Sequence, residues 1–394
     1  MSRARYIMIG GFLGAGKSTA VARLASSLSD AGKRVGLITN DQGNGLVDTR
    51  NLRSRGFAVE EIPGGCFCCR FDSLLGAARK LTEDTRPDVF VAEPVGSCTD
   101  LVATVSYPLR RIYGANFDIS PFSVVMDPVR ARRVFGLDEG RNFSDKVLYV
   151  YRKQLEEADF LVINKVDSLP ADLIEELRAK LAETFPEKQI FCVSARRGDG
   201  LEEWFRAVLE GEPGDSAALE IDYDIYAEGE ALLGWLNCTV EVASEIEADG
   251  NAFLKGFAGD LHARLEEANA EVAHLKMTLL PAASRDEQEG HLLLEDIALL
   301  SLVRQDFVAE LSQELPAPLL SGELVVNLRA EAEPEVLRGA LEESLAGFSR
   351  ESDWHLDLSH IECFRPGKPV PTHRFTDPFT DENSQTVDFK PSKS

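Results

Sequence analysis

The sequence predicts an α/β domain built on a doubly wound, mostly parallel sheet, followed by an α+β domain. Three observations predict it. Short apolar runs alternate with amphipathic stretches through residues 1–208. The glycine-rich run Gly11-Phe12-Leu13-Gly14-Ala15-Gly16-Lys17-Ser18-Thr19 lies between an apolar run and a helical stretch. Beyond the polar Glu210–Ala217 segment the pattern changes to strand, helix, strand, and does so twice.

The strands expected in the first domain are Tyr6–Ile9, Arg34–Thr39, Val59–Ile62, Asp88–Ala92, Phe122–Met126, Phe160–Ile163 and Gln189–Val193. Several are continuous apolar runs, as strands covered on both faces require. Ser18–Leu28, Asp145–Ala158, Ala171–Thr184 and Leu201–Leu209 carry helical periodicity. Residues 209–222 are polar and rich in Gly and Pro, which predicts a linker. In residues 223–366, Trp235–Val242, Glu271–Leu280, Gly322–Arg329 and His355–Phe364 are expected as strands. Asn251–Ala268 and Pro334–Phe348 are the expected helices, and the order suggests a ferredoxin-like sandwich. Residues 367–394, dense in Pro, Thr, Ser and Asp, are expected to be a disordered tail.

Hydrophobic residues make up 44% and charged residues 27% of the 394, an ordinary globular composition. The net charge of −24 argues against phosphate-backbone binding, hence against nucleic acid, and against docking on anionic lipid. No segment has the length and apolarity of a membrane span. Seven cysteines, three of them within four positions, suit a reducing compartment, so the expected location is the cytoplasm.

The glycines let backbone N–H groups turn inward and cradle phosphate oxygens. Lys17 can reach the β- and γ-phosphates, Ser18 can ligate Mg2+, and the following helix adds its dipole. Asn164-Lys165-Val166-Asp167 follows a strand directly. An aspartate there can accept two hydrogen bonds from guanine, which adenine cannot offer. Ser194-Ala195, at the end of the last strand, is where a second guanine-contacting turn would lie. Asp41 and Glu93 end strand runs and suit Mg2+ and water handling, because ligands of parallel sheets bind beyond the carboxyl ends of strands. Gly96 is placed for a switch backbone to meet the γ-phosphate.

Gly64-Gly65-Cys66-Phe67-Cys68-Cys69 is the second informative motif. Three thiols so close suit a soft or borderline metal; Zn2+ and Co2+ fit, and Cu+ remains open. A buried inert thiol cluster and a redox pair are the other readings. Cys66 and Cys68 can share one ion, whereas the adjacent Cys68 and Cys69 are expected to diverge. Every histidine lies at or beyond residue 262, so any further ligand is a carboxylate, water, the second domain or a partner. His274 is expected on a solvated face, and Cys98, Cys192, Cys238 and Cys363 as isolated buried thiols.

Taken together, GGFLGAGKST, Asn40-Asp41, GGCFCC, Glu93-Pro-Val-Gly96 and NKVD resemble the CobW-like metallochaperone GTPases, relatives of the GTPases that insert nickel into urease and hydrogenase. The resemblance covers about the first 205 residues. It implies GTP and Mg2+ binding, slow GTP hydrolysis, and zinc or cobalt held at Cys66, Cys68 and Cys69 for delivery to a client metalloprotein. By position it implicates Gly11 to Thr19 for phosphates and Ser18 and Asp41 for Mg2+. Lys17, Asp41 and Glu93 would serve catalysis, Gly96 the switch, and Asn164, Lys165 and Asp167 guanine. Relatives dimerise across the nucleotide, so a homodimer is implied too. The same fold could instead serve as gatekeeper of a cofactor enzyme, for example a corrinoid one. Two departures stand out: Asn44 occupies a position where the family often has an acid, and no histidine-rich stretch is present.

Overall fold

The structure is a computed structural model that describes residues 3–40, 52, 56–215, 218–282, 297–304 and 309–379. The chain divides into two units, one formed by Met1–Tyr226 with Lys368–Ser394 and the other by Ala227–Gly367. The division falls slightly past the expected linker at 209–222. The expected disordered tail needs correction. Its first part, through Phe379, lies along the first unit, where Thr372 and Phe375 donate backbone hydrogen bonds to Cys68 and Ala103. The physical reason is that side chains supplement these bonds, which composition does not reveal.

The first unit is the doubly wound layer. Its sheet contains β1 (Ala4–Gly10), β2 (Val35–Asn40), β3 (Ala58–Ile62), β4 (Val89–Glu93), β5 (Phe117–Ile119), β6 (Ser123–Met126), β7 (Phe160–Ile163) and β8 (Gln189–Cys192). The order is β3-β2-β4-β1-β6-β7-β8, and β5 joins β1. Every pairing is parallel. All six residues of β2 are buried, the signature of a strand covered on both faces. The helices are α1 (Lys17–Asp30), α2 (Phe71–Asp84), α3 (Tyr107–Tyr113), α4 (Pro128–Val134), α5 (Asp145–Glu157), α6 (Ala171–Thr184) and α7 (Leu201–Glu210). Ala20, Val21, Leu24, Ala25 and Leu28 of α1 recur at helical spacing and pack with Ile7, Ile9, Leu37 and Val91 of the sheet. Each large aliphatic buried this way contributes roughly 1.5–3 kcal/mol, more than helix propensity supplies.

The second unit is antiparallel. Its strands are β9 (Leu233–Ala248), β10 (Glu271–Pro281), β11 (Ala298–Leu302), β12 (Glu310–Gln313), β13 (Leu319–Glu331) and β14 (Trp354–Phe364), in the order β12-β11-β10-β13-β9-β14. With α8 (Gly250–Glu267) and α9 (Pro334–Glu351), the strands β14-β9-β13-β10 have the ferredoxin-like arrangement expected, fourth-first-third-second. The long connection between the halves adds β11 and β12 beside β10. Asp249 starts α8 by accepting hydrogen bonds from the N–H groups of Asn251 and Ala252. Phe253, Phe257 and Leu261 of α8 and Leu337 and Leu341 of α9 cover Leu236, Val240 and Val326 of the sheet. The opposite face carries polar pairs: the Arg329 guanidinium lies 3.7 Å over the Trp235 ring, and Asn327 donates to Asn237. His274 is only partly exposed and both its ring nitrogens are sheltered, so the expected solvated face is corrected here. Among the described residues no helix is long and apolar enough to cross a membrane.

Candidate nucleotide and metal site

The phosphate loop follows β1, with positive φ at Gly11, Gly14 and Gly16. No side chain caps α1, so the first N–H groups of the helix face the loop without a side-chain acceptor. Ala15 is buried, and Thr19 is exposed in the first helical turn. Lys17 is buried, with Nζ 3.4 Å from the carbonyl of Phe12. Gly96 approaches so closely that a Cβ there would lie 2.9 Å from Lys17 Nζ. The segment after β4 therefore comes close to the Lys17 ammonium. The Ser18 hydroxyl donates to Glu93 Oε1 at 2.9 Å. Asp41 and Asn44 lie outside the described residues.

Asn164 and Lys165 brace the loop. Asn164 Nδ2 donates to the carbonyl of Ala15, and its Oδ1 accepts from the N–H of Ala195, both at 2.9 Å. Lys165 Nζ donates to the Gly14 carbonyl and pairs with Asp127 at 3.0 Å. Asp127 simultaneously caps α4 through the N–H groups of Val129 and Arg130. The Asp-Pro pair at that helix start was a legible capping signal, but its link to Lys165 was not. Asp167 is different. Its Oδ1 is buried and has no hydrogen-bond partner among the described residues. Burial pushes its acid upward, but the Ser194 hydroxyl, a backbone N–H and the Arg197 and Arg196 charges outweigh burial and hold the carboxyl below its ordinary range. An ionised acceptor with spare capacity is what guanine N1–H and N2–H2 call for. Ser194 and Ala195 are both buried in the turn beside it.

Gly16 limits what this brace tolerates. Its φ is 95°, and a Cβ would stand 2.4 Å from Asn164 Nδ2, which is held by hydrogen bonds on both sides. Gly16→Ala is expected to weaken nucleotide binding at least about tenfold and to lower the melting temperature, because strain and a broken brace together cost about 1–3 kcal/mol. Nucleotide titration and a thermal melt check both.

The cysteines stand beyond the carboxyl end of β3. Asn40 Nδ2, from the end of β2, donates to the carbonyls of Ile62 and Gly65 and so positions the Gly64-Gly65 lead-in. Cys66 to Arg70 then form a helical turn, with the N–H groups of Cys69 and Arg70 bonded to the Cys66 carbonyl. That turn brings the three sulfurs together: 2.7 Å for Cys66–Cys68, 3.3 Å for Cys66–Cys69 and 3.7 Å for Cys68–Cys69. The expected divergence of Cys68 and Cys69 is thus corrected, because the coil of the turn swings Cys69 back under Cys66. Hydrogen bonds from Cys68, Cys69 and Cys98 hold the Cys66 thiol well below its usual range. The bond to Cys66 pushes Cys69 up to about 11. The clustering thus favours the thiolate form at Cys66, the form that binds a cation. Cys98 is also not isolated as expected; its thiol touches Cys66 from the segment that carries Gly96. Gln154 of α5 holds that segment by donating to the carbonyls of Gly96 and Cys98 at 2.9 and 2.8 Å. Cys98 and Gln154 were missed because their contacts span distant stretches of chain.

A phosphate loop at the end of β1, a guanine-type acceptor after β7 and a parallel doubly wound sheet define a P-loop nucleotide-binding domain. Residues 5–192 match the family model described as CobW/HypB/UreG, nucleotide-binding domain, in line with the resemblance the motifs carry. The chain is 29% identical over 213 residues to the zinc chaperone CobW of a Sinorhizobium species, covering 49% of this chain and 59% of that protein. It is 26% identical over 196 residues to the zinc chaperone YeiR of Escherichia coli K12, covering 49% and 56%. It is 27% identical over 180 residues to a putative GTPase of Caulobacter vibrioides, covering 43% and 48%. The chain thus spans about half the length of the curated relatives it matches.

Proposed function

We infer that this chain binds GTP with Mg2+, hydrolyses it, and uses that cycle to take up zinc at Cys66, Cys68 and Cys69 and deliver it to a client protein in the cytoplasm. The observation that carries the reading is the convergence of three thiols within 4.8 Å of one another in the same unit as the phosphate loop. Two of the three are buried, yet a cluster of facing thiols that favours a thiolate at Cys66 has no stabilising role in an apolar core. Thiolate donors suit Zn2+, with Co2+ as the alternative cargo, and a three-sulfur set leaves a fourth position for water or for a ligand from the receiving protein. The relatives named as zinc chaperones support zinc.

In this reading Lys17 neutralises charge on the transferring phosphoryl group, and the loop N–H groups hold the phosphates. The Ser18 oxygen would ligate Mg2+ through a lone pair while its hydrogen stays donated to Glu93, with Asp41 completing the ion's protein ligands. The second oxygen of the Glu93 carboxylate would orient the attacking water. Gly96 follows the γ-phosphate, and Cys98, two residues on, carries the change to Cys66. Asp167 selects guanine, while Asn164, Lys165, Ser194 and Ala195 hold its surroundings. The reading includes a homodimer formed across the nucleotide.

The test is a titration of metal-free protein with Zn2+ and with Co2+, in the presence of Mg2+ and either GDP or a non-hydrolysable GTP analogue. The expected result is binding that differs at least tenfold between the two nucleotides and disappears in a Cys66→Ser, Cys68→Ser, Cys69→Ser variant. Equal binding in both states would remove the nucleotide-driven carrier, since a ligand shifts an equilibrium only by its differential affinity.

A further inference from the structure

The segment Lys368–Asp377 runs directly over the cysteine turn. The Val370 N–H donates to Cys69 Sγ at 3.2 Å. The Thr372 N–H donates to the Cys68 carbonyl at 2.9 Å, and the Thr372 hydroxyl reaches the Cys69 carbonyl at 3.4 Å. The His373 ring stands edge-on to Phe71, the residue that opens α2 just after the cysteine turn. From there the segment crosses to the chain beyond the switch glycine. Arg374 pairs with Asp100 at 2.7 Å, and the Phe375 N–H donates to the Ala103 carbonyl at 2.9 Å. Asp100 is buried, with φ 65°, and also accepts from the Tyr223 hydroxyl. Ala103 lies in a π-helical turn, Val102–Ser106, a geometry frequent at functional sites.

Three features set this segment apart from a passive tail. It donates a hydrogen bond to a sulfur of the metal-binding triad. It is clasped by an ion pair whose carboxylate is buried and lies four residues after Gly96. Its residues alternate between partly buried and exposed from Pro371 to Asp377, and Val370 is 74% exposed. An extended strap held by a few backbone hydrogen bonds and the ion pairs Arg374–Asp100, Lys368–Asp224 and Arg111–Asp377, of which only the first has a buried carboxylate, opens more easily than a packed helix.

We propose that residues 368–377 are a strap that retains the metal ion in the cysteine site, and that release of the Arg374–Asp100 clasp opens the thiolates for transfer. The proposal rests on the metal-carrier reading above. In the closed strap the Val370 N–H stabilises negative charge on Cys69 and shields that sulfur from a competing ligand. Because the clasp acts on the segment that carries Gly96 and Cys98, a shift of that segment strains the Arg374–Asp100 pair and frees the strap. The receiving protein then meets Cys69 first, the least buried of the three.

The test uses the full chain loaded with Co2+ and challenged with EDTA, following the thiolate-to-cobalt charge-transfer band. Arg374→Ala breaks the clasp, and Arg374→Lys keeps its charge. Val370→Pro deletes the N–H that reaches Cys69 at an exposed position and leaves Asp100 paired, so it reports even if Arg374→Ala unfolds. Cobalt loss at least tenfold faster in Val370→Pro, and in Arg374→Ala where folded, with Arg374→Lys near wild type, is the expected result. Wild-type loss rates in both Val370→Pro and Arg374→Ala, with the band intact, would overturn the strap and leave the carrier reading standing. Absence of the band in the wild type would overturn both.

Discussion

Asp167→Asn is expected to lower GTP affinity on the order of 100-fold and to transfer the preference to xanthosine triphosphate. The carboxylate is ionised, its Oδ1 is buried without a partner among the described residues, and its neighbours hold it below the ordinary carboxylate range. Guanine offers N1–H and N2–H2, so two charge-assisted bonds form where one acceptor group stands ready. Asparagine is nearly the same size, so the site keeps its shape. It replaces one acceptor with an NH2 group that faces a donor, which costs about 3 kcal/mol, and each 1.4 kcal/mol is tenfold in affinity. Xanthine carries a carbonyl at that position and accepts from the new NH2. The phosphate contacts, from Lys17 and the loop, stay as they are. Titration of both nucleotides against wild type and variant checks the exchange. GTP affinity unchanged in Asp167→Asn would remove Asp167 from base recognition.

The second large effect is on stability. Glu157, at the end of α5, is buried, with its carboxyl pushed up to about 8 by burial first and by the Asp100 charge second. It accepts from the Thr99 hydroxyl at 3.0 Å and from the Val102 N–H at 3.2 Å. Between the ordinary glutamate value and about 8, the folded protein keeps a proton that the unfolded chain has released. Stability from this group is therefore fully present below that window and falls as pH rises through it, by roughly 3–5 kcal/mol at the alkaline end. Glutamine is neutral throughout, can accept from Val102 with its oxygen and can donate to the Thr99 hydroxyl. Glu157→Gln should therefore remain as stable as wild type near pH 5 and melt at a higher temperature near pH 8.5. Thermal unfolding at the two pH values measures this, and parallel slopes in both proteins would place the titration elsewhere.

Glu157 also shows where sequence reading stops. Its helix, Asp145–Glu157, was expected almost to the residue, because its apolar positions recur at helical spacing. That its last carboxylate would be buried against Thr99 and Val102 was invisible, since the partners lie more than fifty residues away. Helix α2 is not among the helices expected from the sequence, although Phe71, Leu74, Leu75, Ala78 and Leu81 repeat at helical intervals. The three-residue strand β5 is too short to carry any alternation and exists through its pairing with β1.

The sequence by itself determined the chemistry-bearing local motifs: the phosphate loop between strand and helix, the acceptor at Asp167, the cysteine triplet and the four-strand, two-helix order of the second unit. These are short-range patterns, set by glycine conformational freedom, side-chain period and residue type within a few positions. Tertiary structure alone decided the bonds between distant segments: Asn164 and Lys165 turned inward to brace the loop, Cys98 set against Cys66, and the chain after Lys368 brought back across the cysteines. Each depends on chain segments far apart in sequence being delivered to one place by the parallel sheet, and no local pattern encodes that delivery.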